Sequence, residues 1–397
     1  MNRFYFDHNA TTPIAPEVVS AMTEAMGLAY GNPSSIHREG QQARQVLETA
    51  RLQVAAFLGA SPPEIVFTSG GTEADNLAIT GLLRGLPVGR KHLITTAVEH
   101  PAVLESCRQA EREGVEVTYV PVDANARVNP WEVRRSIRPE TVLISVMHAN
   151  NETGTVQPLT EIAGIVREIR ATGQTIYFHS DGVQAAGRIP ADVSQLGVDL
   201  YSLSAHKMHG PKGVGALYVR KGVPLRGVQV GGRHERERRA GTENAPGIVG
   251  FARALRIAQI DPPFEALAAL RNRFEAQVCS GLGSVTVNSA HSERLPNTSN
   301  LDFDGIEGEA LLISLDLKGF AVSTGSACSS GSIEPSHVLL AMGLSNEEAR
   351  RCVRFSFGRY NTPAEVEALA EAVIRSVLHL RKTRAARQFA IGGFARA

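Results

Sequence analysis

Short apolar runs rich in β-branched residues alternate with helical stretches between Ser61 and Arg220, and this alternation constrains the fold more than any other feature of the sequence. The pattern is typical of βαβ units and therefore of a largely parallel sheet. The runs are almost continuously apolar, as strands covered on both faces require. Seven strands are predicted, at residues 64–68, 92–96, 115–122, 141–148, 175–181, 199–204 and 214–219. The sequence therefore predicts one large α/β domain.

The pattern changes beyond Asp261, where a smaller α+β domain is predicted. Its predicted elements are a helix at residues 264–280, a strand around Val285 and Val287, and a long helix at 363–381. We expect the large domain to span residues 14–258 and the small domain to combine 1–13 with 259–397. Residues 384–397 mix Arg, Gly and Phe, and we expect them to form a loosely ordered tail.

Opposite charges nearly cancel along the chain, with 41 Lys and Arg against 40 Asp and Glu, and a net charge of +1. Because this balance gives no broad positive field, nucleic acid is not expected as a partner. No apolar run approaches the roughly 20 residues that cross a bilayer, and residues 1–13 lack the order of a secretory signal. We therefore expect a cytoplasmic protein without membrane contacts.

Four cysteines are scattered along the chain, at positions 107, 279, 328 and 352, without any Cys-x-x-Cys spacing. This spacing argues against a disulfide framework and against a zinc knuckle, so no resident metal is expected. A free cysteine is usually a small buried hydrophobic residue, and we expect this of Cys107, Cys279 and Cys352. Cys328 differs because it lies among glycine and serine residues, which predict an exposed thiol.

Lys207 follows a predicted strand directly, within the segment 202–213, Ser-Leu-Ser-Ala-His-Lys-Met-His-Gly-Pro-Lys-Gly. Desolvation lowers the pKa of a lysine and supplies the free amine that Schiff-base chemistry needs. The alternative is a structural lysine whose ammonium group extends into water.

Two further segments follow predicted strands. Residues 68–76, Thr-Ser-Gly-Gly-Thr-Glu-Ala-Asp-Asn, open a helix whose backbone N–H groups could bind a phosphate, although Thr72 and Asp75 also resemble an ordinary capping box. Asp181 ends a strand and could hold a protonated heteroaromatic nitrogen, or simply cap a helix. Ligands of open α/β sheets lie beyond the carboxyl ends of the strands, so all three segments are expected in one site. An amine, a phosphate cradle and a carboxylate are the three groups that bind pyridoxal phosphate.

With these residues in place, the sequence resembles the class V, fold-type-I family of pyridoxal phosphate enzymes, and within it the NifS/IscS-like cysteine desulfurases. The likeness runs from residues 5–13, Tyr-Phe-Asp-His-Asn-Ala-Thr-Thr-Pro, to residues 354–362, Arg-Phe-Ser-Phe-Gly-Arg-Tyr-Asn-Thr. It implies a large domain with a mostly parallel seven-stranded sheet, together with a smaller α+β domain that carries the Cys328 loop.

The resemblance also implies roles for the residues that bind the cofactor. Lys207 would form the Schiff base, Asp181 would pair with the pyridine nitrogen and Gln184 with the ring hydroxyl. The phosphate would be held by four residues, Gly71, Thr72, Ser204 and His206. His100 would stack on the ring, although by itself it resembles an ordinary histidine at the end of a strand.

Other matching positions imply contacts with the substrate and with a second subunit. Asn151 would lie near the ring oxygen and the substrate carboxylate, with Asn150 as the adjacent alternative. Arg354 would bind that carboxylate through its planar fork, with Arg351 and Arg359 as alternatives. Thr242 matches a residue that reaches the phosphate of the other subunit, so a homodimer with shared sites is implied; without the likeness, residues 233–239 would be interpreted as a solvated loop of mixed charge.

The motif Ser-Thr-Gly-Ser-Ala-Cys at 323–328 resembles the family's sulfur-acceptor loop. The implied reaction converts L-cysteine to L-alanine and leaves the sulfur as a persulfide on Cys328, while His100 handles the proton of the substrate thiol. The implied partner is an iron–sulfur scaffold or another sulfur-acceptor protein, and the only metal contact expected is a transient one with an iron–sulfur cluster at Cys328. The alternatives are a class V aminotransferase, a selenocysteine lyase and a non-catalytic sulfur carrier.

Overall fold

The computed structural model of the chain describes residues 3–325 and 334–394, with only the backbone described for residues 385–394. The strands of this part of the chain form three sheets. They are β1 Phe4–Tyr5, β2 Ile65–Thr68, β3 His92–Thr96, β4 Glu116–Val120, β5 Thr141–Ser145, β6 Tyr177–Asp181, β7 Leu200–Ser204, β8 Gly215–Val219, β9 Val285–Val287, β10 Thr298–Phe303, β11 Phe320–Ala321 and β12 Cys352–Ser356.

Helices connect most of these strands. The α-helices are α1 Pro16–Leu28, α2 Arg38–Leu58, α3 Gly71–Asn76, α4 Leu82–Gly85, α5 Pro101–Arg112, α6 Pro130–Ser136, α7 Leu159–Ala171, α8 Val193–Leu196, α9 Ala245–Ile260, α10 Phe264–Gly281, α11 Gly308–Asp316, α12 His337–Ala341, α13 Asn346–Arg351 and α14 Pro363–Phe394. A π-helical stretch, Leu77–Gly81, joins α3 to α4.

The largest sheet has seven strands in the order β2-β8-β7-β6-β5-β3-β4. All neighbouring strands are parallel except β8, which runs antiparallel to both β2 and β7. Each predicted run contains one of these strands, so the predicted mostly parallel seven-stranded sheet is confirmed. Strand β4 departs from the expected burial because it lies at the edge of the sheet, where Glu116 is exposed.

Both faces of this sheet are covered by helices, and successive side chains of a strand point to opposite faces. Ile65 and Phe67 pack into one core, to which α1, α2, α7 and α9 contribute. Val66, between them, packs into a second core with residues of α3, α4 and α5. Burial on both faces explains why these strands are almost continuously apolar in sequence.

A second region is built around the antiparallel sheet of β12, β10 and β9, against which α10 and α14 pack. Its core is rich in aromatic rings, and the centroids of Phe274 and Phe355 lie 4.7 Å apart. The N-terminal segment joins this region, because β1 pairs in parallel with β11 and Phe6 lies in the same core. Asp7 then forms a bridge with Ser356 in β12.

Two predictions about this region are wrong. Helix α14 continues to Phe394, so the expected loosely ordered tail is helical from residue 384 to 394. The stretch Arg-Ala-Ala-Arg-Gln at 384–388 consists of strong helix formers, which favours this extension. Cys279 is exposed, whereas Cys107 and Cys352 are buried as predicted. Val278 occupies the buried face of α10, and the next residue is rotated by about 100° towards solvent.

None of the described helices combines the length and the apolar character that a membrane span requires.

Candidate active site

A cavity of about 240 Å³ lies at the carboxyl ends of the parallel strands. Asp181 ends β6 and Ser204 ends β7, while Gly71 follows β2, and all three reach this edge of the sheet. The lining residues are Gly71, Thr72, Asp75, His100, Met147, Asn151, Asp181, Val183, Gln184, Ser204, His206 and Lys207. Nine of the ten residues expected from sequence to bind the cofactor are therefore brought together here.

Lys207 directs its amine at the N-terminal segment. Its Nζ donates hydrogen bonds to the carbonyl oxygens of Asn9 and Ala10, each at 2.7 Å. Burial, together with the charges of Arg188 and Arg354, lowers the pKa of Lys207 to about 7. The amine is therefore held inside the site instead of extending into water, and above pH 7 it is largely a neutral nucleophile.

Asp181 offers a buried carboxyl group that could bind a protonated ring nitrogen. It is buried, and its Oδ1 accepts a hydrogen bond from the backbone N–H of Val183 at 2.9 Å. Burial raises the pKa of Asp181, while His100 and Lys207 oppose that rise. The alternative of a helix N-cap does not apply, because residues 182–186 form turns in which no helix begins.

The start of α3 forms another wall of the cavity. A Cβ atom at Gly71 would come within 2.7 Å of the Val183 side chain, so glycine permits this close approach. The predicted Thr72 and Asp75 capping box is not formed, since the N–H of Ser69 donates to the Glu73 carboxylate at 2.8 Å and Asp75 is buried at the cavity. The backbone N–H groups at Gly71 and Thr72 are thus available to an anion at a helix start.

Two imidazoles line the cavity in their neutral forms. Burial lowers the pKa of His100, with Lys207 contributing, and its Nδ1 accepts a hydrogen bond from the N–H of Ala102 at 3.1 Å. A neutral ring that accepts at Nδ1 carries its proton on Nε2. Burial and the charge of Lys207 lower the pKa of His206 to about 4, and its Nδ1 lies 3.1 Å from the Thr11 hydroxyl.

The structure separates Asn151 from its neighbour Asn150. Asn151 lines the cavity, whereas the Asn150 side chain is hydrogen-bonded within its own turn and to Val98. The Asn150 Oδ1 accepts from the N–H groups of Glu152 and Thr153, and its Nδ2 donates to the carbonyl of Val98 at 3.0 Å. Asn151 is therefore the asparagine that is free to meet a ligand.

Arg354 is the candidate arginine that lies beside Asn151 and keeps one buried donor free among the described residues. It lies in β12, buried, and donates to the Asn151 carbonyl at 3.0 Å and to Asp7 Oδ1 at 2.7 Å, while its Nε has no protein partner among the described residues. Arg351 is paired with Asp302 and Asp304. Arg359 is paired with Asp261.

Two of the described sequence candidates, Thr242 and Arg354, do not line the cavity, although Arg354 contacts the backbone of Asn151, which does. Thr242 is exposed on the loop before α9 and does not line the cavity of its own chain. Cys328 lies outside the described residues. Near that gap, the Ser336 hydroxyl donates to the buried carboxyl of Glu152 at 2.5 Å.

Several residues around the cavity were not singled out as ligands from the sequence. Asp75 was considered only as a cap, and Met147 and Val183 carry no motif of their own. Asn9 is part of the 5–13 motif, but only the fold shows that its carbonyl accepts from Lys207. Arg188 could have been noted as the one basic residue shortly after Asp181 in an otherwise small and apolar segment, 182–191.

The residues of the cavity fit pyridoxal phosphate. The site offers an amine of lowered pKa, a buried carboxyl group, a neutral imidazole and a glycine-lined helix start. Beside Asn151, the Nε of Arg354 is a buried donor that has no partner in the part of the chain that the structure describes. Each of these groups matches one handle of the cofactor or of an amino-acid substrate.

Residues 4–369 match the model of the family described as aminotransferase class-V. The chain belongs to this family. It is 46% identical over 379 residues to a cysteine desulfurase IscS of Dictyoglomus turgidum, and the match covers 95% of each chain. These findings place it in the NifS/IscS-like group of cysteine desulfurases, as its motifs predicted, with pyridoxal phosphate as the cofactor.

Solved structures agree with this placement. A NifS-like protein superposes with a TM-score of 0.87 at 38% identity, covering 95% of this chain and 100% of that one. A structure described as SspA in complex with cysteine superposes with a TM-score of 0.80 at 38% identity, covering 90% of this chain and 99% of that one. The predicted fold-type-I architecture is thus confirmed.

Proposed function

We propose that the chain is a pyridoxal phosphate-dependent cysteine desulfurase that converts L-cysteine to L-alanine and transfers the sulfur to its own Cys328. The observation that carries this proposal is the position of Lys207. Its amine is buried, its pKa is lowered to about 7, and it shares one cavity with the carboxyl group of Asp181. An amine in this setting serves both as a covalent anchor for an aldehyde and as a base.

The cofactor would be held by the residues that line the cavity. Lys207 binds its aldehyde carbon, Asp181 its ring nitrogen, and Gln184 its ring oxygen. The start of α3 with Ser204 and His206 binds its phosphate. When bound, pyridoxal phosphate supplies a ring that withdraws electrons from the Cα and Cβ atoms of the substrate.

The substrate carboxylate binds at Arg354 and Asn151. The Nε of Arg354 is available as a donor, since no residue in the ranges 3–325 and 334–384 accepts from it, and the hydrogen bond from Arg354 to the Asn151 carbonyl keeps the two residues together. As a free amine of lowered pKa, Lys207 Nζ would accept the Cα proton of the substrate and would later return it to Cα.

Cys328 receives the sulfur. Its thiolate attacks the substrate sulfur, and the Cβ–S bond breaks with its electron pair remaining on carbon. Cβ then receives the proton released by the substrate thiol and Cα regains its own proton, which gives alanine. The proton of the substrate thiol goes to His100. Nε2 can accept that proton only in the tautomer of His100 that carries its proton on Nδ1. In that tautomer Nδ1 can no longer accept the hydrogen bond from the N–H of Ala102.

The wider setting is also part of the proposal. Thr242 is exposed, as a residue that serves the cavity of a second subunit must be before assembly, and we propose a homodimer with shared sites. The outer sulfur of the persulfide is transferred to an iron–sulfur scaffold or another sulfur-acceptor protein in the cytoplasm. Cys328 makes a transient contact with an iron–sulfur cluster there. The domain boundaries at residues 13 and 258 stay a prediction.

Replacement of Cys328 by alanine tests the proposal. In Cys328→Ala, the visible absorbance should still change when L-cysteine is added, because that response needs only the cavity. Sulfide release with a reductant should fall at least about 100-fold, because the sulfur acceptor is gone. The control is Cys279→Ala, which removes an exposed thiol from α10 and should leave both readouts unchanged.

Normal sulfide release by Cys328→Ala would contradict the role of this cysteine. Amino transfer from L-cysteine to an oxo acid, with no sulfide formed by the unaltered chain, would instead identify an aminotransferase.

A further inference from the structure

Arg188 is a buried arginine surrounded by neutral hydrogen-bond acceptors. Arg188 lies seven residues after the end of β6 and is 5% exposed. One guanidinium nitrogen donates to the backbone carbonyl of Gln184 at 3.0 Å and also to the Gln184 side-chain oxygen. Another donates to the carbonyls of His8 at 3.0 Å and Lys207 at 3.1 Å. In the ranges that the structure describes, Arg188 forms no ion pair with a carboxylate.

A second buried arginine shows what is unusual here. Arg51 is 3% exposed, and its guanidinium meets both carboxylate oxygens of Glu235 at 2.8 Å. Buried charges are normally paired in this way, because an uncompensated charge inside a protein is costly. Arg188 has no such carboxylate partner among the described residues, and its guanidinium donates to the backbone carbonyl of Lys207.

The surroundings of Lys207 show where the unpaired charge acts. After burial, the charge of Arg188 is the largest influence that lowers the pKa of Lys207, followed by that of Arg354 from β12. Two carboxylates oppose it, Asp181 at the end of β6 and Asp7 in the N-terminal segment. The carboxylates therefore favour an ammonium ion at Lys207, and the arginines favour the free amine.

The imidazoles that face Arg188 do not compensate its charge. Burial lowers the pKa values of His8 to about 3, and of His206 and His209 to about 4, and Arg188 contributes to each of these shifts. The three rings are therefore neutral at physiological pH. Lys212 adds a further positive charge near His206.

Arg188 also determines how the Gln184 amide is oriented. A guanidinium only donates hydrogen bonds, so the amide oxygen of Gln184 must face it. The amide nitrogen then donates to the Asn9 carbonyl at 3.0 Å, and Gln184 is one of the residues that line the cavity. Gln184 can thus present an N–H donor, and not a second oxygen, to an oxygen atom of a ligand.

We propose that Arg188 is a positioning residue whose unpaired buried charge keeps the Lys207 amine neutral and whose hydrogen bonds fix the Gln184 amide. This inference rests on the proposed function, because both targets are residues that bind the cofactor. Arg188 thus has two effects that can be measured separately: its charge acts on the Lys207 amine, and its hydrogen bonds orient the Gln184 amide.

Two variants of the cofactor-loaded chain separate these effects. Arg188→Gln removes the charge, whereas Arg188→Lys keeps the charge but loses the planar fork. The first measurement is the midpoint of the pH titration of the cofactor's visible absorbance, without substrate, since a cation beside Nζ disfavours protonation there. The second is the dissociation constant for pyridoxal phosphate, with thermal unfolding as the check on folding.

We expect the midpoint of Arg188→Gln to rise by about one pH unit and that of Arg188→Lys to stay at the value of the unaltered chain. We expect Arg188→Lys to weaken cofactor binding about fivefold to tenfold, because the Gln184 amide is no longer fixed. A purely structural role would lower thermal stability and leave the midpoint unchanged.

An unshifted midpoint in folded Arg188→Gln, or a shifted midpoint in Arg188→Lys, would overturn the inference about charge. Unchanged cofactor binding by Arg188→Lys would overturn the inference about Gln184. If Arg188→Gln does not fold, Arg188→Lys alone decides, since it must keep the midpoint and lose affinity. Absence of any cofactor band in the unaltered chain would count against the proposed function instead.

Discussion

Two groups of buried, electrostatically coupled residues differ in charge: Asp75, Glu99 and Asp181 form what we call the acidic side, and Lys207, Arg188 and Arg354 form the basic side. On the acidic side, burial raises the pKa of Glu99 to about 8 and also raises those of Asp75 and Asp181. Mutual repulsion adds to this, because Asp181 raises the pKa of both Asp75 and Glu99. The crowded carboxyl groups are therefore driven towards their neutral, protonated forms.

On the basic side, burial lowers the pKa of Lys207 to about 7 and that of Arg188 to about 9. Repulsion acts here too, because Arg354 lowers the pKa of both residues. The group of lowest intrinsic pKa gives up its proton first, and on this side that group is Lys207.

Each side lowers its own net charge, and the two sides also partly stabilise one another. Asp181 raises the pKa of Lys207, and Lys207 lowers the pKa of Asp181. Burial thus raises the pKa of Asp181, whereas burial and two neighbours of the same sign, Arg188 and Arg354, lower the pKa of the Lys207 amine. Three measurements test whether the two sides have these opposite effects.

The largest effect is expected on the basic side, from Lys207→Ala. The variant should lose the cofactor's visible band and at least about 1000-fold in sulfide release, because the residue is both covalent anchor and base. Absorbance spectra and a sulfide assay check this, with Lys212→Ala as the matched control, since Lys212 is an exposed lysine of the same segment. A retained band would move the anchor to another lysine.

On the acidic side, Asp181→Asn should lower sulfide release about 100-fold, because a neutral amide cannot stabilise a protonated ring nitrogen. The same change removes a carboxylate that raises the pKa of Lys207, so the absorbance titration should move to lower pH. Steady-state kinetics and that titration are the measurements. Asp192→Asn, which keeps a cap on α8 and does not line the cavity, serves as the control; equal losses in both variants would refute a specific role for Asp181.

The smallest effect is the pH dependence of cofactor uptake by the cofactor-free chain. Only the neutral amine attacks an aldehyde, so with a Lys207 pKa of about 7 the rate should rise as pH rises. The rise should be about fivefold from pH 6 to 7 and less than about twofold from pH 7 to 8. Stopped-flow absorbance measures it. A continued tenfold rise per pH unit up to pH 9 would mean that the basic side does not lower the pKa of Lys207.

Local patterns were sufficient to predict the large sheet and three segments of the cavity, whereas the roles expected of Gln184, Ser204, His206, His100 and Asn151 came from the family resemblance. Seven apolar runs are seven strands, and polar residues at their ends, such as Asp181 and Ser204, meet because parallel strands end at one edge. The same logic predicts Lys207, which directly follows β7.

What could not be predicted depends on contacts between distant residues. The Asn9 carbonyl accepts from Lys207 across 198 positions, and Arg188 contacts His8 across 180. No periodicity encodes such pairs. Cys279 illustrates a second limit, since the side of a helix on which a single residue lies depends on how the whole helix packs. Thr242 illustrates a third, because its proposed target belongs to another chain.

The N-terminal segment described above also bears on the order of biosynthesis. Phe4 and Tyr5 pair with Phe320 and Ala321, and the carbonyls of Asn9 and Ala10 accept from Lys207. These residues leave the ribosome before every one of their partners, by more than 300 positions for β11. In a nascent chain, the N-terminal segment therefore cannot complete its pairing until β11 has been translated. The reactive lysine is consequently enclosed late, when nearly the whole polypeptide has been made.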